Sequence, residues 1–97
     1  MARAVVTPSA DADTAEIVSG YLVAARYTAS FERLNDHLAD FPAAGALRPN
    51  LGAHIRIGIV PPYIVIYRHT EADGVVTVLR IVHGSRRIAG KLLRGVS

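Results

Sequence analysis

The chain has no cysteine, no tryptophan, a single lysine (Lys91) and only six aromatic residues among 97. Without cysteine there is neither a disulfide framework nor a thiolate metal site, and four scattered histidines without close acidic neighbours make a poor zinc set. No metal and no cofactor is expected. No apolar run approaches the roughly 18 residues needed to cross a bilayer, and the N-terminus lacks the apolar stretch of a signal peptide. A soluble, unexported protein with no membrane association is expected, and a cytoplasmic location fits the lack of cysteine without following from it. A length of 97 residues leaves room for one domain, spanning 1–97, and excludes most large enzyme architectures.

Aliphatic side chains are abundant instead. Hydrophobic residues make up 51% of the chain, so the core must be built from Val, Ile, Leu and Ala, with a surplus available as surface for a partner. Charge is divided along the sequence. Residues 1–45 carry three arginines against six acids, a balance of −3, whereas residues 46–97 carry eight basic side chains against Glu71 and Asp73, a balance of +6. Seven of those eight are arginine, whose planar fork suits carboxylate and phosphate. An anionic partner or a solvated basic face would each account for it.

The local patterns give an α+β fold. Residues 3–7 form a short apolar strand ended by Pro8. Ser9 is placed as the N-cap of a helix running to about Tyr27, with Asp11, Asp13 and Glu16 in its first turns, where the helix dipole favours negative charge. Ile17, Tyr21 and Ala25 mark its buried stripe. A second helix, from about Thr28 to Asp40, carries Phe31, Leu34, Leu38 and Phe41 on one side, so the two form a helical hairpin. Two prolines, two glycines and an asparagine make residues 42–52 a loop. Ile55, Ile57 and Ile59 then alternate with His54, Arg56 and Gly58, which is the signature of a strand with one buried face. Pro61 and Pro62 separate it from a strand at 63–69, and Asp73 with Gly74 turns the chain into residues 75–88. The expected architecture is an N-terminal strand and helical hairpin packed on an antiparallel sheet of about four strands, followed by a short basic tail or helix. The chain has no internal repeat and no low-complexity segment.

Residues 75–88 hold the densest chemistry. Arg80 lies inside an otherwise apolar strand that runs into His83, Gly84, Ser85, Arg86 and Arg87. Strand parity sets His83 with Leu79 and Ile81, and Arg80 with Val78 and Val82, on opposite faces. His83 is either a proton-transfer group or a strand-end histidine that hydrogen-bonds the following turn. Arg80 is either a free cation or a charge paired with Asp36 or Asp40.

Taken together these elements resemble the RelE/ParE family of small toxins from bacterial type II toxin–antitoxin modules. The resemblance rests on Ser9 at the first helix, Phe31 and Leu34 on the second, and Pro42, Gly45, Leu47, Arg48, Pro49 and Leu51 in the loop. Arg56, the strand from Tyr63 to Tyr67, and the run from Val78 to Gly84 closed by Arg86 complete it, in the pattern of the ParE branch. The family implies an antitoxin partner, of the ParD-like ribbon-helix-helix type, with Tyr63, Tyr67, Arg48 and Arg56 as its contacts, although the two tyrosines fit the core equally well.

Two activities follow from the resemblance. A ParE-like toxin poisons DNA gyrase, which requires a basic binding surface and no general acid or base; Arg80, Arg86, Arg87, Lys91 and Arg94 would supply that surface. A RelE-like toxin is an endoribonuclease that cuts mRNA on the ribosome, and Arg56, Arg80 and His83 would then be catalytic. RelE-like nucleases tend to carry a Lys, Arg and Tyr cluster with a tyrosine near the C-terminus, and here nothing after Tyr67 is aromatic. That favours the ParE-like branch. Where its pattern usually has an acid after the arginine matched by Arg86, this chain has Arg87. A non-toxic binding module is the third alternative.

Overall fold

The computed structural model describes residues 3–17, 21–70, 74–85 and 90–94. Strand β1 (Arg3–Val6) leads into helix α1 (Pro8–Ile17), and helix α2 spans Tyr21–Asp40. The chain continues through β2 (Ala46–Leu47), a 3-10 turn at Pro49–Leu51, β3 (Ile55–Val60), β4 (Tyr63–Thr70), β5 (Val75–His83) and a second 3-10 turn at Gly90–Leu93. The sheet has five strands in the order β1-β5-β4-β3-β2. It is mixed, because β1 runs parallel to β5 while the other pairs are antiparallel. The fold is α+β, as expected, with β2 as an added strand inside the segment read as loop.

The helix boundary differs from expectation. Helix α1 is described as far as Ile17, and Tyr21 to Tyr27 belong to α2 rather than to the first helix; residues 18–20 lie outside the described residues. Apolar spacing continues through both helices in the sequence and therefore cannot mark where one ends. The cap also moves by two residues. Pro8 takes the first helical position, which suits its missing N–H, and Thr7 is the cap: its Oγ1 accepts from the Ala10 N–H at 3.2 Å. The same hydroxyl donates to the Leu79 carbonyl at 2.9 Å, and the Thr7 N–H donates to the Val78 carbonyl at 3.0 Å. One buried threonine thus fixes where β1 stops, where α1 starts and how both lie along β5.

The two sheet faces are both covered. On one, Ala10 of α1 and Phe31 and Leu38 of α2 pack with Val60, Val65, Tyr67, Val76, Val78 and Ile81. On the other, Leu51 and Leu92 from the two 3-10 turns close over Ile55, Ile57, Ile66, Leu79 and Val82. Ile59 departs from its expected burial: it continues the row of Ile55 and Ile57 but is 57% exposed. The cover supplied by Leu51 and Leu92 stops short of that end of β3.

Strand β5 is interior but not the middle strand, and its alternation is broken once. Ile66 pairs with Arg80 while Tyr67 pairs with Val78, leaving Leu79 as an extra residue. A bulge of this kind shifts the side-chain phase by one residue. Val78 and Ile81 consequently share the helix side, and Leu79 and Val82 share the other.

Candidate functional site

Beyond Val78, β5 has no β1 residue beside it, and an open edge would leave its backbone groups unpaired. Thr7 and Asp13 fill that edge. The Asp13 carboxylate accepts from the Ile81 N–H at 3.0 Å and takes the guanidinium of Arg80 as a fork, with Nε at 2.6 Å and Nη2 at 3.1 Å. Arg80 Nη1 meanwhile donates to the Leu92 carbonyl at 3.0 Å. The pair is mostly enclosed, with side-chain exposures of 20% for Arg80 and 14% for Asp13. The hydrogen bonds to Asp13 push the arginine pKa above its already high ordinary value, against the opposing effect of burial. The partner is therefore Asp13, and neither Asp36 nor Asp40; Asp13 lies 67 residues away in sequence, beyond any local pattern.

His83 sits at the strand end on the helix side, its ring edge-on to Tyr63 at 5.6 Å, and Tyr63 is edge-on to Phe31 at 6.2 Å. Its Nδ1 lies 2.7 Å from Ser85 Oγ and accepts from the Ser85 N–H at 3.0 Å. It hydrogen-bonds the following turn, as a strand-end histidine does. Arg80 and His83 remain on opposite faces, although the bulge regroups their neighbours relative to simple parity.

Two expected partner contacts have internal roles. Tyr67 is fully buried: its hydroxyl donates to the Pro42 carbonyl at 3.1 Å and accepts from the Gly45 N–H at 2.8 Å. It cannot also be a surface contact. Burial pushes its phenol pKa up, opposed by the Gly45 hydrogen bond and the charge of Arg56. Arg56 Nη1 donates to the carbonyls of Gly45 at 2.8 Å and Ala43 at 3.3 Å. Together these side chains satisfy the backbone of the segment joining α2 to β2.

That segment forms one wall of a groove of about 390 Å³ between α2 and the β3 edge, lined by Leu34, Leu38, Arg48, Ile57 and Gly58 among others. Because β2 pairs only with Arg56 and Ile57, the rest of β3, from Gly58 to Val60, has no strand beside it on the groove side among the described residues. Ile59, Leu47 and the nearby Phe41 are 57%, 50% and 59% exposed. Apolar exposure beside an unpaired strand edge marks a surface that partners use. Gly45 keeps the groove wall close, since a Cβ there would overlap the Ile57 carbonyl oxygen and the Tyr67 hydroxyl. Gly45→Ala is expected to cost about 1–3 kcal/mol through overpacking, read as a lowered urea midpoint with an unchanged slope.

Of the expected target-binding residues, Arg94 is exposed just past the second 3-10 turn. Lys91 lies within that turn, and Arg86 and Arg87 lie outside the described residues. Arg48 is exposed on the groove, and Tyr63 is half-buried. Among the described residues no three His, Asp or Glu gather as a metal set, and no helix is long and apolar enough to cross a membrane.

The fold recurs in solved structures. One is the RelBE2 toxin–antitoxin complex from Mycobacterium tuberculosis, at 21% identity and a TM-score of 0.68 over 84% of this chain and 96% of that one. Another is the chromosomal ParDE toxin–antitoxin system of P. aeruginosa, at 20% identity and a TM-score of 0.57 over 86% and 96%. No curated protein matches the sequence. The family model for the ParE toxin of type II toxin–antitoxin system, parDE, matches residues 4–88, from β1 to beyond the end of β5. With that match over most of its length, on a sheet and helix pair that the solved relatives share, this chain belongs to the ParE family of type II toxins.

Proposed function

We propose that the chain arrests growth as a ParE-like poison of DNA gyrase, acting in the cytoplasm as an inhibitor rather than an enzyme, and that an antitoxin of the ParD type neutralises it. The observation that carries this reading is the state of the residues an RNA-cleaving site would need. Cleavage by 2′-hydroxyl attack requires a proton acceptor, a proton donor and free cations around one phosphate. Here Arg80 is committed to Asp13 and Leu92, Arg56 is committed to the 43–45 backbone, and His83 is hydrogen-bonded into the Ser85 turn. On the sheet face opposite the helices, Leu51 and Leu92 cover Ile55, Ile57, Ile66, Leu79 and Val82. A binding mode asks only for an exposed basic element, and the C-terminal arm, here the described residues 90–94, offers one in Arg94.

The antitoxin is supported by the groove between α2 and β3, where exposed Ile59 and a strand edge unpaired among the described residues suit a segment of a second protein. The structural relatives are themselves toxin–antitoxin assemblies. Expression without the genomic neighbour tests the proposal. Accumulation of gyrase-cleaved plasmid and an SOS response, with intact mRNA in the same cells, is the expected result. Cut transcripts on translating ribosomes with unaffected plasmid topology would instead assign the nuclease activity. Absence of any growth arrest would assign a binding module.

A further inference from the structure

We infer that Asp13 and Arg80 form a positioning device for the basic C-terminal arm, holding it against the end of β5 so that it is presented in one orientation, and that neither side chain touches the target. The inference rests on the proposed function for the arm's purpose but on geometry alone for its anchoring. One guanidinium joins three distant parts of the chain: residue 13 on α1, residue 80 on β5 and residue 92 in the last 3-10 turn. Only arginine can present two N–H groups to a carboxylate and a third to a carbonyl from one rigid plane; lysine offers a point charge on a flexible stem. The bulge at Leu79 is what turns Arg80 into this position, out of the plain alternation of β5.

The anchor has an apolar half as well. Leu92 is 4% exposed and packs with Leu51, Ile66, Leu79 and Val82, so its carbonyl meets Arg80 on a residue already seated in the core. Arg94, two residues on, is exposed. Asp13 neutralises Arg80 at the base of the arm, so the arm's positive charge comes from its own residues. Arg80 then acts through Leu92 instead of contributing to the binding surface itself.

The test compares the full-length wild type with Asp13→Asn and Arg80→Lys by hydrogen–deuterium exchange over residues 90–94 and by growth arrest on titrated expression. Thermal melting identifies a variant that fails to fold, and Arg80→Lys, which keeps charge and bulk, serves if Asp13→Asn does not. Exchange in the last 3-10 turn is expected to rise about tenfold or more in both variants, with potency falling by a similar factor; a rise of that size reflects about 1.4 kcal/mol lost from the local anchor. Unchanged exchange overturns the anchoring. Raised exchange with full potency overturns the positioning role, and lost potency with unchanged exchange means that Arg80 meets the target directly. A wild-type chain that arrests growth without cleaving plasmid through gyrase defeats the proposed target and leaves the anchoring to be decided by the exchange data alone.

Discussion

Tyr67→Ala is expected to lower the free energy of unfolding by about 3–5 kcal/mol, the range found for deleting a large buried ring. That is a large share of the roughly 5–15 kcal/mol that stabilises a small domain. The ring is fully enclosed between Val65, Val78 and the helices, so its removal leaves a cavity that the sheet cannot collapse to fill. The hydroxyl adds a separate contribution, visible in Tyr67→Phe, which keeps the ring but strands the Gly45 N–H and the Pro42 carbonyl. A further loss of about 1–2 kcal/mol is expected from that change alone, together with faster amide exchange at Gly45. The phenol also makes stability depend on pH. Its pKa in the folded chain is raised above the usual 10.0, so the unfolded chain releases the proton first. The contribution is fully present below pH 10 and declines as pH rises through the folded pKa. Urea midpoints from about pH 8 to about pH 11 should therefore fall more gently in Tyr67→Phe than in the wild type.

Phe31→Ala is expected to cost about 3–5 kcal/mol and to lower the melting temperature by about 4–8 °C for each kcal/mol lost. Phe31 is 5% exposed and is one of the side chains by which α2 grips the sheet, beside Leu34 and Leu38. Its ring also meets the edge of Tyr63, whose other neighbour is His83, so the loss should spread to the end of β5. Phe31→Leu, which refills most of the space with another apolar group, should lose under about 1.5 kcal/mol if packing is the whole effect. A loss in Phe31→Leu as large as in Phe31→Ala would show that the ring contact with Tyr63, rather than volume, carries the energy. Calorimetric melts of the three proteins separate these cases.

Much of this molecule was legible before folding was considered. Alternation placed β3, β4 and β5 because a half-buried strand repeats every two residues, and three- and four-residue spacing placed Phe31, Leu34 and Leu38 together on α2. The order of short motifs pointed to the family. The misplacements share a physical cause. Thr7 caps α1 in place of Ser9 because β5 is within reach of its hydroxyl, a contact that no window of neighbouring residues contains. Ile59 is exposed because burial depends on what covers a face, and alternation reports only which residues share it.

The candidate site divides in the same way. Composition and residue order set the chain's inventory: a basic second half rich in arginine, one arginine within the apolar run 75–82 followed by a histidine, no cysteine, and a ParE-like succession of elements. Tertiary structure decided what those residues do. It buried Tyr67 and drew the half-buried Arg56 against the groove wall, because the polar backbone of residues 42–45 had to be satisfied by something close by. It gave Arg80 to Asp13, because β1 ends at Val6 and the edge of β5 beyond it needed an acceptor for the Ile81 N–H, which Asp13 of α1 supplies. Local periodicity carries the phase of an element, whereas an added bulge residue and an ion pair 67 residues apart are settled only when the elements meet.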